Sequence, residues 1–277
     1  MVLDVALVTF AGQPDGWIDD HLLVDALAAR GVTSAFVCWD DPDARWASAG
    51  MAVVRSVWDY HLRVEAFGDW ADHVGAVTRL WNPAPVLRWN GHKSYLLDLD
   101  AAGVPIVPTR VVRRGERVVL GAGAHVVKPA VSIGAERTTR HATQADLDAL
   151  SAEMDALVQP YVHGIESDGE LSIVCIDGVV THVVQKVPAA GDFRTQEHHG
   201  AACTTVEVDD RHRSVAAAAL AATPGETMYA RVDVVALDGV LSVMELELIE
   251  PTLWLRWHPP AADAMADSIV GRLRASG

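Results

Sequence analysis

The chain has 277 residues, half of them apolar and 21% charged, with 37 acidic side chains against 22 basic ones and a net charge of −15. Such a chain buries a sizeable core in one or two domains and is not disordered. Its acidity excludes a basic footprint for nucleic acid and repels anionic membrane surfaces. The three cysteines, Cys38, Cys175 and Cys203, stand far apart in no metal-like spacing and read as reduced thiols of a cytoplasmic protein. No apolar run reaches the length of a membrane span, and the start of the chain reads as a strand rather than a signal peptide.

Residues 2–10 read as a strand buried on both faces, as in parallel sheets. Residues 15–30 form a predicted helix ended by Gly31. Residues 33–39 and 51–55 are predicted strands, and residues 62–80 a second helix. This alternation predicts an open, doubly wound parallel α/β domain. Ligands of such sheets collect beyond the carboxyl ends of the strands, where Arg55, Trp58, Asp59 and Tyr60 stand. A Pro-marked linker, Asn82-Pro83-Ala84-Pro85, leads to Trp89-Asn90-Gly91-His92-Lys93-Ser94-Tyr95, a short helix stopped at Gly103. Residues 118–128 read as a strand pair around Gly121 and Gly123, and residues 145–157 as an amphipathic helix. Next comes an apolar strand running into a kink at Gln159-Pro160-Tyr161-Val162. From Leu171 onward the pattern is antiparallel β, with Asp-Gly turns at Asp177-Gly178 and Asp238-Gly239. Ala-rich helices over 215–222 and 261–273 cover it. Trp254 and Trp257 suit the core better than a contact between copies, and a homo-oligomer stays open.

Carboxylates interrupt two apolar segments near the end of the chain, at Asp233 and at Glu245 and Glu247. Acids are rarely buried unless paired or bound to a cation. Glu245 and Glu247 are two apart, so a strand puts both on one face. Three converging oxygen donors suit Mg²⁺, which shares its shell with water and phosphates. The competing reading is a solvated face whose acids pair with Arg231 and Arg256. Parity separates the two. A plain two-residue turn at Asp238-Gly239 places Asp233 opposite Met244, facing away from Glu245, so the metal reading requires an odd loop or a β-bulge.

Lys128 ends an apolar strand before a small-residue loop containing Ser132, Gly134 and Ala135, and such a pair can hold phosphate. An ordinary Lys-Pro surface turn fits as well, and Lys93 fits a solvated helix lysine. The backbone at the Gln159–Val162 kink could pair with the edge of a flat heterocycle. The histidines lack zinc spacing and no nucleophile elbow is present. Arg55, Arg88, Arg194, Arg231 and Arg256 could each clamp a carboxylate or phosphate.

Taken in order, Lys93, Lys128 with its loop, the 159–162 kink, Glu170, Lys186, Arg194, Asp233, Glu245 and Glu247 resemble the ATP-grasp superfamily over nearly the whole chain. The similarity is greatest to the branch of prokaryotic glutathione synthetase and the ribosomal-protein glutamate ligases. The strings Arg55-Ser56-Val57-Trp58-Asp59-Tyr60, Trp89–Tyr95 and Glu245–Pro251 resemble a smaller branch that includes the cyclo-ligase of D-cycloserine biosynthesis, which closes O-ureido-D-serine into a ring.

The resemblance implies an N-terminal α/β domain over 1–85, a small grasp subdomain with connecting helix over 86–162, and a large subdomain over 163–277. It implies that Lys93 and Lys128 contact ATP phosphates, with the loop of Ser132, Gly134 and Ala135 above them. Gln159, Pro160, Tyr161 and Val162 would form the adenine hinge, and Glu170 would hold the ribose. Lys186, Arg194 and Arg231 would face the reacting groups. Asp233, Glu245 and Glu247 would hold Mg²⁺, with a small amino acid near Arg55, Asp59 and Tyr60. Two positions depart from the pattern. Glu247 stands where relatives commonly carry Asn, and Ser172 where glutathione synthetases carry Arg, which argues against γ-glutamyl peptide substrates. The implied reaction is carboxylate activation as an acyl phosphate followed by amine capture within one molecule. The alternatives are capture by a second molecule, a nucleotide-binding regulator without turnover, or an acidic binding protein whose N-terminal domain alone takes a ligand.

Overall fold

A computed structural model describes residues 3–189 and 200–275, so the expectation for Arg194 lies outside the described residues. Strands β1 (Val5–Thr9), β2 (Ser34–Cys38), β3 (Met51–Ser56) and β4 (Arg79–Trp81) form a parallel sheet in the order β2-β1-β3-β4. Side chains alternate along a strand. Val5 and Leu7 therefore pack with Leu23 and Leu27 of α1 (Asp20–Ala29), while Ala6 and Val8 pack with Phe67, Trp70 and Val74 of α2 (Val64–Val77). This is the expected doubly wound domain, with two boundary corrections. The first helix begins at Asp20, because Gly16 at φ 71° leaves the right-handed helical region. The second stops at Val77, and Arg79–Trp81 becomes a fourth strand beside β3.

A second sheet is antiparallel and contains β9 (Glu170–Ile176), β10 (Val179–Val187), β11 (Ala202–Val206), β12 (Tyr229–Leu237) and β13 (Val240–Glu247), in the order β11-β10-β9-β12-β13. One face, with Ile173, Val183, Val232 and Leu246, packs on α7 (Asp210–Ala221) and on α4 (Tyr95–Ala101). On the other face Val174, Ile176, Val184 and Tyr229 meet α8 (Pro260–Arg274) and, through it, the N-terminal sheet. Trp254 belongs to that cluster and Trp257 packs against it, in the core as expected.

A third sheet, order β5-β8-β6-β7, contains β5 (Arg110–Val112), β6 (His125–Pro129), β7 (Thr139–Arg140) and β8 (Ala156–Pro160). Helix α5 (Gln144–Glu153) covers one side through Leu147 and Leu150. The strand pair expected over 118–128 is a single strand. The Gln144 side chain accepts from Leu120 N–H and donates to the Val118 carbonyl, which takes the place of a ladder before β6 begins.

Strand β13 lies at a sheet edge, and buried side chains from the linker close that edge. Leu246 N–H donates to the Tyr95 hydroxyl at 2.9 Å. The Asn90 amide, at the end of α3 (Ala84–Asn90), donates to Leu246 O and accepts from Leu248 N–H, both at 2.8 Å. Asn82 donates to Leu248 O at 2.8 Å. Asn90→Ala leaves two buried backbone groups unpaired and should lower stability by about 2–4 kcal/mol, read as a lower urea midpoint with an unchanged slope.

Burial, with His258 stacked against it at 4.9 Å, pushes the His182 imidazole down to about 4. An unfolded histidine takes its proton near about 6.5. Between these values the unfolded chain binds a proton the folded one refuses, so stability falls as pH drops from 6.5 to 4, by on the order of 3 kcal/mol. His182→Leu should flatten that part of the pH–stability curve.

Candidate active site

The ladder between β12 and β13 starts from a two-residue turn whose residues both have positive φ, Asp238 at 50° and Gly239 at 81°. Such a turn alone gives the wrong parity. The register then shifts: Val234 pairs with Val243, but Asp233 pairs with Glu245, and Met244 is the extra residue of a β-bulge. Arg231 pairs with Glu247. On the inner side Asp233 faces Ser172, and Glu170 faces Lys186 across β9 and β10. Residues paired directly in a ladder share a face. Glu170, Ser172, Lys186, Arg231, Asp233, Glu245 and Glu247 therefore occupy one face, beyond the half covered by α8. Gly169 at φ 73°, just after the short helix α6 (Ile165–Asp168), lets β9 start so close to β10 that a Cβ there would clash with the Lys186 carbonyl.

Each acid on this face meets a cation. Lys186 Nζ lies 2.6 Å from Glu170 and 3.6 Å from Asp233. Arg231 donates to both Asp233 oxygens and also pairs with Glu247, and the Ser172 hydroxyl donates to Asp233. Burial opposes the Asp233 charge, but Arg231, Lys186 and the Ser172 hydrogen bond hold its carboxyl well below the usual carboxylate range. Burial likewise opposes the Lys186 charge, which Asp233 and Glu170 raise again. Burial, with the Asp233 and Glu245 charges beside it, pushes the Glu247 carboxyl up to about 7 although Arg231 opposes.

Lys93 and Lys128 reach the same face from across the cleft. Lys128, next to last in β6, lies 3.9 Å from Glu245, while Lys93 lies 3.3 Å from Glu245 and donates to the Ser132 carbonyl. Both lysines are buried rather than solvated. Burial pushes the Lys128 ammonium down despite Glu245, as suits a cation awaiting polyanionic charge. The loop carrying Ser132, Gly134 (φ 59°) and Ala135 (φ 63°) is held to the N-terminal domain by Ile133, packed on its aromatic cluster, and by Glu136, 3.1 Å from His61. At the hinge, Gln159 donates to the Thr109 hydroxyl and Tyr161 N–H to Ala124 O, each at 2.9 Å. Val162 N–H meets no acceptor among the described residues although the residue is buried, which fits an acceptor atom on an adenine edge.

Among the described residues no three of His, Cys, Asp and Glu close on one point as a metal cage. The donors nonetheless fit Mg²⁺. Glu245 and Glu247 keep part of their side chains open to the cleft and carry mutually repelling charge, and this ion ordinarily takes one or two carboxylates with phosphates and water. Asp233, with both oxygens occupied by Arg231 and Ser172, is the least available of the three.

The residues expected around a substrate divide. Arg55 is buried, pairs with Asp20 at 2.9 Å and donates to Pro251 O at 3.1 Å. It thus ties the loop after β13 to α1. Asp59 accepts from Trp39 Nε1 at 2.8 Å and pairs with Arg63. Tyr60 packs on Phe67, and burial, with the charges of Glu250, Glu245 and Glu247 around it, pushes its phenol well above the usual value. Only Tyr60 of the three therefore borders the acidic cluster. The sequence reading assigned no place to Glu250, to Asn82 and Asn90, or to Tyr229, whose hydroxyl donates to Val54 O and Ile249 O. A fourth acid in an otherwise apolar run was the available signal for Glu250.

Residues 5–82 match the family described as D-cycloserine synthetase DcsG, N-terminal domain, and residues 132–251 the RimK-like ATP-grasp domain. Cycloserine biosynthesis protein DcsG of Streptomyces lavendulae is 31% identical in an alignment covering 98% of this chain and 99% of the relative. The crystal structure of D-cycloserine synthetase DcsG superposes with a TM-score of 0.86 at 30% identity, covering 97% of this chain and 99% of that one. ATP-bound D-alanine–D-alanine ligase from Bacillus anthracis shares the fold at 13% identity, with a TM-score of 0.70 and full coverage of both chains. The chain belongs to the D-cycloserine synthetase family of ATP-grasp ligases, enzymes that use ATP and Mg²⁺.

Proposed function

We propose that this ligase activates the carboxylate of O-ureido-D-serine, or of a close analogue, and closes it on its own nitrogen to give the D-cycloserine ring. The observation that carries the reading is one sheet face on which the buried Glu170 and Asp233 and the half-buried Glu245 and Glu247 meet Lys186 and Arg231 from within and Lys93 and Lys128 from across the cleft. Lys93 and Lys128 hold the phosphates, Val162 and Pro160 take adenine through their backbone, and Glu245 and Glu247 ligate the metal. When held by these two carboxylates, Mg²⁺ would offset phosphate charge. Asp233 orients Arg231 and Lys186 toward the reacting oxygens. A substrate carboxylate oxygen bonds to the γ-phosphorus, the bond from that phosphorus to the bridging oxygen breaks, and ADP leaves. The ureido nitrogen attached to oxygen then attacks the acyl carbon, losing its proton as phosphate departs, and one water hydrolyses the carbamoyl group from that nitrogen. Because nucleophile and acyl group belong to one molecule, positioning replaces a second substrate pocket. The loop of Ser132, Gly134 and Ala135 keeps water from the acyl phosphate.

Incubation with MgATP and O-ureido-D-serine should release ADP and phosphate without added amine; AMP and pyrophosphate, or dependence on a second amine, would contradict the scheme. Asp233→Asn removes the buried charge that Arg231 and Lys186 share, leaving them Glu247 and Glu170 alone, and should lower stability by about 3–5 kcal/mol. Glu247→Gln should abolish turnover with a stability change below about 1 kcal/mol, since it removes a repelling charge. Equal stability losses in the two variants would remove the distinction drawn between these acids.

A further inference from the structure

Glu250 is the acid that the site leaves over. Its neighbours Asp233, Glu170, Glu245 and Glu247 all pair with Lys or Arg, and at the edge of the N-terminal domain Asp20 pairs with Arg55. Glu250 is 8% exposed, and its carboxylate has neither an ion pair nor a side-chain hydrogen bond among the described residues. Its backbone is fixed on both sides. Trp58 Nε1 donates to its carbonyl at 3.2 Å, Arg55 donates to Pro251 O at 3.1 Å, and Arg231 donates to Thr252 O at 3.3 Å. Such a carboxylate is costly to bury without a partner, and the anchored backbone keeps it at the cleft.

Chain order places it chemically. Glu245 faces Lys93 and Lys128, Glu247 meets Arg231, and Glu250 follows with its carbonyl on Trp58 and its carboxylate within the field of Tyr60, Glu247, Lys93, Glu245 and Arg231. A carboxylate held near Arg231 and Glu247 would have its α-carbon one bond away, and Glu250 is the unpaired acid that shares the field of those two residues.

We infer that Glu250 is the binding group for the α-ammonium of the substrate and makes the enzyme selective for α-amino acids over carboxylic acids without an amine. The inference rests on the function proposed above. An ammonium seated between Glu250 and the Tyr60 side of the cleft forms charge-assisted hydrogen bonds, fixes the α-carbon, and leaves the carboxylate aimed at the phosphate end. Burial and the charges of Glu247 and Glu245 push the Glu250 carboxyl upward although Lys93 and Arg231 oppose, and an incoming cation adds to that opposition.

The test compares O-ureidoserine with its des-amino analogue, 3-(ureidooxy)propanoic acid, in ADP release by the wild type and by Glu250→Gln, an isosteric change. The wild type should favour the amino acid by about a hundredfold in kcat/KM. Glu250→Gln should raise the KM for the amino acid, keep its MgATP dissociation constant within about twofold, and cut the preference below about fivefold. Preserved discrimination in Glu250→Gln would overturn the inference while leaving the cyclisation intact, as would loss of MgATP binding, which would move Glu250 to the metal end. A wild type inactive on O-ureidoserine would overturn the proposed function, and the inference with it.

Discussion

The bulge at Met244 is the constraint on which the site depends. A two-residue turn at Asp238-Gly239 sends the first acid of one strand and the first acid of the next to opposite faces, and a single extra residue reverses that. Without it, either Asp233 or the pair Glu245 and Glu247 would point into the apolar layer against α7 and α4, where a charge has no partner. With it, both strands keep apolar residues on the helix side and acids on the cleft side. The edge of β13 just past the bulge is then closed by Asn82, Asn90 and Tyr95 rather than by another strand. Backbone groups at Leu246 and Leu248 are fixed, and Glu247 between them is held toward the cleft.

The same face explains how so much charge is buried in a stable protein. Lys186 and Arg231 lie among Glu170, Asp233 and Glu247, and Lys93 and Lys128 close over Glu245. A polyanion entering this cleft exchanges one set of partners for another rather than stripping charges bare. Lys93 is held by a loop carbonyl and a carboxylate, so on the proposed reading this cation is oriented before a nucleotide arrives. The loop after β13 connects this end of the site to the N-terminal domain through Tyr229, Trp58 and Arg55.

Much of this was legible in the sequence because the signals were periodic or chemically extreme. The doubly wound domain followed from buried strands alternating with helices, and the convergence of Asp233, Glu245 and Glu247 on one face followed from charges in apolar strands. Parity converted those acids into a requirement for a bulge, which Met244 meets. What escaped was set by long-range partners. The fourth strand at Arg79–Trp81 is too short to show a period, and residues 118–124 look like a strand but spend their hydrogen bonds on the Gln144 side chain. Arg55 and Asp59 carry the right chemistry for a substrate clamp, yet Asp20, Pro251, Trp39 and Arg63 engage them, and no local pattern announces that. Glu250 reads as one more acid until its neighbours are seen to be paired.

The central claim is that the cation-lined face brings a substrate carboxylate to the γ-phosphate of ATP. Its most direct measurement is oxygen transfer, with O-ureido-D-serine labelled with ¹⁸O in the carboxylate and turned over with unlabelled MgATP. An acyl phosphate requires one labelled oxygen to appear in each inorganic phosphate released. Phosphate free of label, with the departing labelled oxygen found in AMP or in water, would contradict the account.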